Sequence, residues 1–343
     1  MIEYTPIERP PGAFQVGVPF AQLVAICRHA FGRHTHLQTI REIGGGQFNT
    51  TYLVQMQGRE PVVLRVAPPA CHCHFWHETN LMHRELQMYS HLSRLDSLLP
   101  RILAVDFSHR LLDRDYLFQS FMHGVSWSKL PDDLMPPEHD VLWREFARLV
   151  KTISAIQGDT FGLVGAGLQF PTWSLTILDW FERTLSDAIR SNVDVTALRQ
   201  LLAIVQRNTS LLDHIAQPHL LHGDLWWFNL LIERTATGSH IVALLDPDRG
   251  SWGDPLADWT FFLLPKRASA RAQALFWQEY GLPAQDTSAI FRANVYEGLH
   301  QGKILSVARR DHKENIVSKA NAVIQQVVYT LQQLLAGKCS VAK

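Results

Sequence analysis

The chain has 343 residues, of which 46% are hydrophobic and 19% are charged, a composition typical of a globular protein large enough for two domains. Its formal net charge is +0, which favours neither a nucleic acid nor an anionic membrane surface as a partner. The four cysteines suggest no disulfide framework, and no apolar stretch approaches the ~18 residues of a membrane span. Composition therefore predicts a cytoplasmic protein that contacts neither nucleic acid nor membrane.

Residue periodicity divides the chain into a first part rich in strands and a second part rich in helices. The predicted elements are, in order, a helix at 14–32, strands at 36–43, 51–54 and 61–67, a helix at 79–95, strands at 100–107 and 115–121, helices at 138–157, 173–192 and 195–215, a hairpin at 230–245, and helices at 268–280, 287–308 and 313–336. This order indicates an α+β protein, with an antiparallel sheet and a helix followed by a mostly helical domain.

A glycine-rich turn joins the first two strands. Gly44-Gly45-Gly46 is followed by Asn49 and Thr50. Glycine lets backbone N–H groups approach a phosphate closely, and the Asn and Thr side chains can add donors. The turn is therefore predicted to cover the phosphates of a bound nucleotide, and a plain hairpin turn is the alternative interpretation.

The third strand contains Arg65 among apolar neighbours, a setting that argues against an ordinary exposed arginine. Arg65 can bind a phosphate through two parallel N–H donors and cannot lose its proton. The helix that follows offers two acids to pair with it, Glu78 and Glu85. They lie seven residues apart, or two helical turns, so periodicity does not choose between them.

The centre of the chain carries the residues that best indicate chemistry. A His-Gly-Asp triplet ends at Asp224, and Asn229 follows five residues later. The hairpin would return Asp246 to the neighbourhood of Asn229. An amide oxygen and a carboxylate there can share Mg²⁺ with phosphate oxygens, while Asp224 can accept the proton of a bound hydroxyl. We therefore predict Asp224, Asn229 and Asp246 to be catalytic in phosphoryl transfer, the last two as metal ligands.

The residues around this centre have more than one interpretation. Trp226 and Trp227 can form the wall of an acceptor site, or they can pack beneath the loop. Asp248 can contribute to the acceptor site or to the shell around the metal. Asp258 can cap the helix that begins there, and Asp254 can tie that turn to the catalytic loop.

Three short motifs surround the centre: His222-Gly223-Asp224 with Asn229, Leu245-Asp246-Pro247-Asp248, and Gly253-Asp254-Pro255 with Asp258. Together they resemble the aminoglycoside phosphotransferase-like small-molecule kinases, which are distant relatives of protein kinases. The resemblance implies a bilobal protein-kinase-like fold that uses ATP or GTP with Mg²⁺. The nucleotide-binding lobe would span residues 1–123, and the catalytic and acceptor-binding lobe would span residues 124–343.

The same resemblance assigns the nucleotide site. Arg65 occupies the position of the family's phosphate-binding lysine, and the family's usual spacing favours Glu85 as its partner. The segment between the lobes would hold the base of the nucleotide at Ser120, Phe121 and Met122, chiefly through backbone groups.

The acceptor is predicted from charge. Residues 260–343 contain eleven Lys and Arg and five Asp and Glu, a net charge of +6. A polycationic aminoglycoside needs carboxylates around it, so this excess favours a neutral or anionic hydroxyl compound, antibiotic-like or metabolite-like. The protein is expected to act as a monomer or a homodimer.

Two alternative functions remain open. The opening His-Gly-Asp-Leu-Trp also resembles fructosamine-type ketosamine kinases. Arg65 at the lysine position, with Phe228 where the family has small residues, is compatible with a pseudokinase that binds nucleotide without turnover. The intact Asp224, Asn229 and Asp246 argue against that second alternative.

Overall fold

The structure is a computed structural model that describes residues 2–9, 13–44, 46, 48–70, 72, 74–130, 136–165, 167–236 and 238–337. Its N-terminal part is built on a six-stranded sheet with the spatial order β1-β2-β3-β4-β6-β5. These strands are β1 (Glu3–Thr5), β2 (Leu37–Ile43), β3 (Thr50–Met56), β4 (Val62–Val66), β5 (Ile102–Asp106) and β6 (Tyr116–Ser120). Five of them form the predicted antiparallel sheet, while β1, which was not predicted, pairs in parallel with β2 at the edge.

Two helices accompany this sheet, α1 (Phe20–Phe31) and α2 (Leu81–His91). The prediction of a helix at 14–32 was wrong in its start, because Pro19 fixes its own backbone and disfavours a helical residue before it. The segment before α1 instead lies against the sheet, where the carbonyl oxygen of Val16 accepts a hydrogen bond from Thr50 Oγ1 at 3.0 Å. The apolar face of α1 completes the core of this lobe together with buried side chains of β2, β4 and β6.

The C-terminal part is mostly helical, as predicted. Its helices are α3 (Pro136–Ser154), α4 (Trp173–Arg190), α5 (Thr196–Arg207), α6 (Thr209–Leu212), α7 (Trp259–Arg267), α8 (Ala270–Tyr280), α9 (Thr287–Arg310) and α10 (Glu314–Leu335). The helix predicted at 195–215 is divided into α5 and α6 at Asn208, whose backbone is not helical. One core joins α4, α5, α9 and α10, and Trp173, Phe181 and Phe291 are fully buried within it.

Seven short strands position the centre of the C-terminal part: β7 (Val125–Ser126), β8 (Phe161–Leu163), β9 (Gln169–Phe170), β10 (His219–Leu221), β11 (Leu230–Thr235), β12 (Gly238–Leu244) and β13 (Ser251–Gly253). They form two sheets, in the orders β10-β13-β8-β9 and β12-β11-β7. The predicted hairpin is β11–β12. The loop between β10 and β11 carries the His-Gly-Asp triplet, so both of its ends are fixed by strand pairing.

A short connection at residues 121–124 joins the two parts, since β6 ends at Ser120 and β7 pairs with β11. Gly124 has a φ of 124°, and a Cβ there would lie 3.1 Å from the carbonyl oxygen of Ile232. Only glycine fits this close approach without strain. The division at 123/124 stays a prediction. Met88 of α2 and Phe146 of α3 belong to one buried hydrophobic core, which crosses that division. Over the described ranges, no helix is both long enough and apolar enough to cross a bilayer.

Candidate active site

The catalytic loop is held in place by a carboxylate from further along the chain. Asp258 accepts hydrogen bonds from the backbone N–H groups of His222 at 2.8 Å and Gly223 at 3.2 Å. Its side chain also accepts from Trp259 N at 2.6 Å and so caps α7, as expected. Burial raises the pKa of Asp258 to about 6, while these N–H donors oppose the rise. One carboxylate therefore joins the start of a helix to the catalytic loop.

Asp254 was expected to make that connection, and this expectation was wrong. Its buried carboxylate accepts from Arg292 Nε at 2.8 Å and from the Tyr296 hydroxyl at 2.7 Å. Both partners lie on α9. The turn after β13 is thereby fixed to the helical core, and the catalytic loop is fixed by Asp258 instead.

Asp224 and Asn229 are in direct contact. Asn229 Nδ2 donates to the carbonyl oxygen of Asp224 at 2.8 Å and to its Oδ2 at 3.1 Å. The Leu245 N–H donates to the backbone oxygen of Asn229 at 2.8 Å, which brings the end of the hairpin to the same point. Burial raises the pKa of Asp224 to about 7, with Arg249 opposing the rise. The carboxylate is thus a stronger base than an exposed aspartate.

The histidine of the triplet is a structural residue of the loop. Burial lowers the pKa of His222 to about 4, so the ring is neutral at pH 7. Its Nδ1 accepts from the Asp224 N–H at 3.3 Å. The geometry agrees with a backbone contact that holds the loop and gives no sign of a titrating catalytic group.

Arg65 contacts one carboxylate in its own lobe and one in the other lobe. Its Nη1 lies 2.5 and 2.7 Å from the two oxygens of Glu85, and its Nη2 lies 2.9 Å from Asp246 Oδ1. Although burial lowers the pKa of Arg65, Asp246 and Glu85 raise it above its usual value. Glu78, the other candidate partner, binds Arg310 at 2.6 Å instead. The contacts therefore select Glu85.

Asp246 has an unusual backbone conformation. Its φ is 56°, in the left-handed region that few residues other than glycine adopt. Non-glycine residues held there often lie at functional sites, where the surrounding structure compensates the strain. The side chain is 43% exposed, so its carboxylate stays accessible to solvent while one oxygen contacts Arg65.

Asn229 and Asp246 are suited to hold Mg²⁺. Asn229 uses its amide nitrogen for Asp224, which leaves the amide oxygen without a hydrogen bond to any described residue. One carboxylate and one amide oxygen, completed by water and phosphate, is a donor set that Mg²⁺ accepts. Among the described side chains there is no group of three or more His, Cys, Asp and Glu that could hold a metal, so phosphate oxygens would have to complete the site.

Asp248 lies deeper than expected for a residue that contacts the acceptor. It is buried, 3.9 Å from Arg65 Nη2 and 3.9 Å from Arg249 Nε. Burial raises the pKa of Asp248, and both arginines oppose the rise. Arg249 was not predicted, and its only sequence signal is its place directly after the Asp-Pro-Asp segment.

The glycine turn is described in part, since Gly45 lies outside the described residues. The Gly46 carbonyl oxygen accepts from Gln15 Nε2 at 3.0 Å, and Gly44 precedes it at the end of β2. Asn49 is buried, with its Oδ1 unpartnered among described residues. Thr50 donates its hydroxyl to Val16, so, contrary to expectation, it is not turned towards a phosphate.

The predicted base-binding segment spans the connection between the lobes. Ser120 Oγ accepts from the Arg101 N–H at 2.9 Å, and the ring of Phe121 packs edge-on against His123. Met122 lies between them. The backbone groups of 121–123 belong to no named strand, and their pairing with a base stays a prediction.

The aromatic residues after Asp224 divide between two surroundings. Trp227 packs against Trp143 of α3, with ring centroids 5.5 Å apart. Trp226 stacks on Phe228 at 4.1 Å, and Phe228 is 49% exposed. This arrangement favours packing for Trp227 and an acceptor wall for Trp226.

Trp226 also lines a cavity of about 320 Å³ beside the catalytic loop. The cavity lies between α7, α9 and α10, and its polar and charged lining residues are Lys266, Arg267, Gln301 and Lys319. No acid lines it.

Comparison with known proteins identifies the family. The profile described as the Phosphotransferase enzyme family, APH, matches residues 39–291, which is more than half of the chain. The chain therefore belongs to this phosphotransferase family. A search of the curated proteins gave no significant match.

Solved structures with the same fold include three that illustrate the family. A thermostable mutant of the aminoglycoside phosphotransferase APH(4)-Ia, in ternary complex with AMP-PNP and hygromycin B, is 20% identical, with a TM-score of 0.63 over 90% of this chain and 98% of that one. A protein provisionally named an aminoglycoside phosphotransferase, from Ralstonia eutropha, is 16% identical, with a TM-score of 0.63 over 92% and 98%. A protein provisionally named a fructosamine-3-kinase, from Haemophilus somnus, is 16% identical, with a TM-score of 0.64 over 89% and 96%. These similarities confirm the predicted α+β, bilobal protein-kinase-like fold.

Proposed function

We propose that this chain is a cytoplasmic kinase that transfers the γ-phosphoryl group of ATP or GTP to a hydroxyl group of a small molecule. The observation that carries the proposal is the convergence of Asp224, Asn229 and Asp246, with Arg65 reaching Asp246 from the other lobe. Positioning and charge neutralisation supply most of the catalysis in phosphoryl transfer, and these residues offer both.

The transfer would be direct. The acceptor hydroxyl donates its proton to Asp224 while its oxygen attacks the γ-phosphorus in line, and the bond from that phosphorus to the β,γ-bridging oxygen breaks. Asn229 fixes the orientation of the Asp224 carboxylate. A pKa of about 7 keeps a substantial fraction of Asp224 ionised near neutral pH, ready to accept the proton.

The nucleotide would lie between the glycine turn and the hairpin. Arg65 can place its guanidinium next to the phosphates because Glu85 fixes it from behind. Mg²⁺ held by Asn229 and Asp246 would neutralise negative charge on the phosphates. The backbone of Gly44 and Gly46 would cover them.

The acceptor would not be a polycation. The +6 excess of residues 260–343 is partly offset in the fold, because three of these cations, Arg271, Arg292 and Arg310, form ion pairs with carboxylates outside the segment. Three others pair with acids that the net charge already counts. In the described part of this segment, Arg267, Lys303 and Lys319 form no ion pair. Two of these three line the cavity next to Trp226. A neutral or anionic hydroxyl compound, antibiotic-like or metabolite-like, suits such a lining.

The test is turnover of ATP and GTP with Mg²⁺ against a panel of hydroxyl compounds, with products identified by mass spectrometry. We expect a phosphorylated product from the wild type and about 10²–10⁴-fold less from Asp224→Asn. The exposed Asp159 provides a matched control, since Asp159→Asn makes the same chemical change away from the site. A wild type that binds neither nucleotide would refute the proposal.

The panel also separates the alternatives. A glycated lysine as the preferred acceptor would identify a fructosamine-type kinase. A wild type that binds nucleotide tightly, yet neither phosphorylates any acceptor nor slowly hydrolyses the nucleotide, would be a pseudokinase.

A further inference from the structure

Three cations from different elements meet beside the catalytic loop, and we call Arg84, Arg249 and Lys303 the cation cluster. Arg84 lies on α2, Arg249 ends the turn after Asp246, and Lys303 lies on α9. Arg84 Nη2 donates to the Gly250 carbonyl oxygen at 3.4 Å, which places it against that turn. Burial, then the charges of Arg249 and Arg84, lower the pKa of Lys303 to about 7. Lys303 Nζ also lies over the ring of Trp76, in the short turn that leads into α2, the helix of Arg84.

The cation cluster lacks matching carboxylates. Arg84 is 2% exposed, and its Nε and Nη1 have no hydrogen-bond partner within the described part of the chain. Asp248 is the carboxylate whose charge acts on Arg84, and it lies 3.9 Å from Arg249 Nε. Lys303 forms no ion pair with any described residue, and its Nζ lies over the rings of Trp76 and Trp180, at 5.0 and 5.4 Å from their centroids.

Without a bound anion, this arrangement of buried positive charges is energetically unfavourable. A buried cation normally pairs with an anion or loses its charge, and an arginine cannot lose its charge at neutral pH. His77 lies in the same region, where burial and the charges of Arg249 and Lys303, among others, lower its pKa well below the usual value. Its buried Nδ1 also lacks a described partner. The region thus has a strongly positive potential that an incoming anion would neutralise.

We propose that the cation cluster binds an oxyanion group, a carboxylate or a phosphate, of the acceptor. This inference rests on the proposed kinase function and narrows its acceptor to an anionic hydroxyl compound. The backbone of Arg249 lies against the catalytic loop, since a Cβ on Gly223 would be 2.1 Å from the Arg249 carbonyl oxygen. The cation cluster therefore flanks Asp224, and the acceptor hydroxyl has to lie at Asp224 to lose its proton.

The proposed phosphate site of the nucleotide and the cation cluster lie on different sides of α2. Glu85 faces Arg65, whereas its neighbour Arg84 faces the turn that ends at Gly250. Adjacent positions on a helix point about 100° apart, so the two arginines serve separate spaces. Asp248 stands between them, 3.9 Å from Arg65 Nη2.

The first experiment measures anion binding without turnover. Inorganic phosphate is titrated calorimetrically into protein saturated with AMP-PNP and Mg²⁺, so that the nucleotide site, including its γ-phosphate position, is filled. We expect binding by the wild type and about tenfold to a hundredfold weaker binding by Lys303→Met. The exposed Lys151 provides the control Lys151→Met, which should bind phosphate as the wild type does. Absence of phosphate binding by the wild type, or equal loss in both variants, would overturn the inference.

Thermal unfolding of the same variants separates binding from structure. Methionine has nearly the length of lysine and can pack on Trp76 and Trp180. Because Lys303→Met removes a partly buried charge without an anionic partner, we expect its Tm to be unchanged or higher. A lower Tm with unchanged phosphate affinity would show that Lys303 is only structural.

The second experiment compares acceptors that differ by one anionic group, glycerol with glycerate and glucose with glucose 6-phosphate. The anionic member of a pair should have the higher kcat/KM, and Lys303→Met should reduce that preference while leaving the KM for nucleotide unchanged. A preference for the neutral members, or a raised KM for nucleotide instead, overturns the anion inference and leaves the kinase proposal standing. If no nucleotide binds at all, the kinase proposal fails, and phosphate titration of the unliganded protein still decides whether the cation cluster binds an anion.

Discussion

Replacement of Arg65 by lysine tests how the two lobes are joined at the site. The guanidinium contacts both oxygens of Glu85 and one oxygen of Asp246 at the same time. Its planar fork can do this because its donors point in different directions, whereas a lysine ammonium is a single compact charge on a flexible stem. We expect Arg65→Lys to keep one of these partners and to lose the other.

The magnitude follows from burial. The side chains of Arg65 and Glu85 are 6% and 1% exposed, and breaking a buried pair of this kind costs about 3–5 kcal/mol. Asp246 is 43% exposed, so solvent screening limits its share to about 1 kcal/mol or less. Arg65→Met should therefore lower the free energy of unfolding by about 3–5 kcal/mol, and Arg65→Lys by about 1–3 kcal/mol through a poorer contact with Glu85.

Urea unfolding followed by tryptophan fluorescence measures both changes. Arg41 lies exposed on β2, so Arg41→Lys and Arg41→Met supply controls for the same substitutions on a surface of the same sheet, and both should stay within about 0.5 kcal/mol of the wild type. The reasoning fails if Arg65→Lys and Arg65→Met are equally destabilised, because the fork geometry would then be irrelevant. It also fails if Arg65→Met is as stable as the wild type.

Three further predictions concern the catalytic loop. Because Asp224 acts as a base only when ionised and burial raises its pKa to about 7, kcat/KM should rise about tenfold per pH unit below pH 7 and level off above it; initial rates that do not change with pH would contradict this. Asp258→Ala removes three hydrogen bonds from backbone N–H groups and should lower the free energy of unfolding, measured with denaturant, by about 2–4 kcal/mol. An unchanged free energy of unfolding would show that other contacts hold the loop. Gly223 has a φ of 82° and faces Arg249, whereas Gly167 has a φ of 73° and open space around it. Gly223→Ala should therefore lower Tm far more than Gly167→Ala does, and similar Tm values would disprove the clash.

The sequence was most informative where a site is local in the chain. Asp224, Asn229 and Asp246 lie within one loop and one hairpin, and strand pairing alone brings the last two together. Helix and strand periodicity likewise predicted most elements, because the apolar face of each element is recorded in consecutive residues. The family resemblance then supplied the fold that connects these local pieces.

Local sequence patterns left choices open, or led to a wrong one, where tertiary contacts decide between equivalent local positions. Glu78 and Glu85 were indistinguishable on a continuous helix, but α2 begins at Leu81 and Glu78 lies in the separate turn before it. Asp254 and Asp258 both cap short helical segments. Only the folded structure shows that Asp258, and not Asp254, accepts hydrogen bonds from the backbone of the catalytic loop. No spacing rule contains that information.

The pairing of charges in the folded protein is the clearest property that a count of charged residues in the sequence does not predict. A net charge of +6 in one segment suggested a positive surface, yet carboxylates from outside the segment pair with three of its cations, as Asp140 does with Arg271. What remains positive near the catalytic loop is assembled from Arg84, Arg249 and Lys303, whose positions span most of the chain. A buried cation is most available to a ligand when the fold gives it too few carboxylate partners. The charge of an acceptor therefore has to be inferred from the ion pairs of the folded protein. The number of lysines and arginines alone does not give that charge.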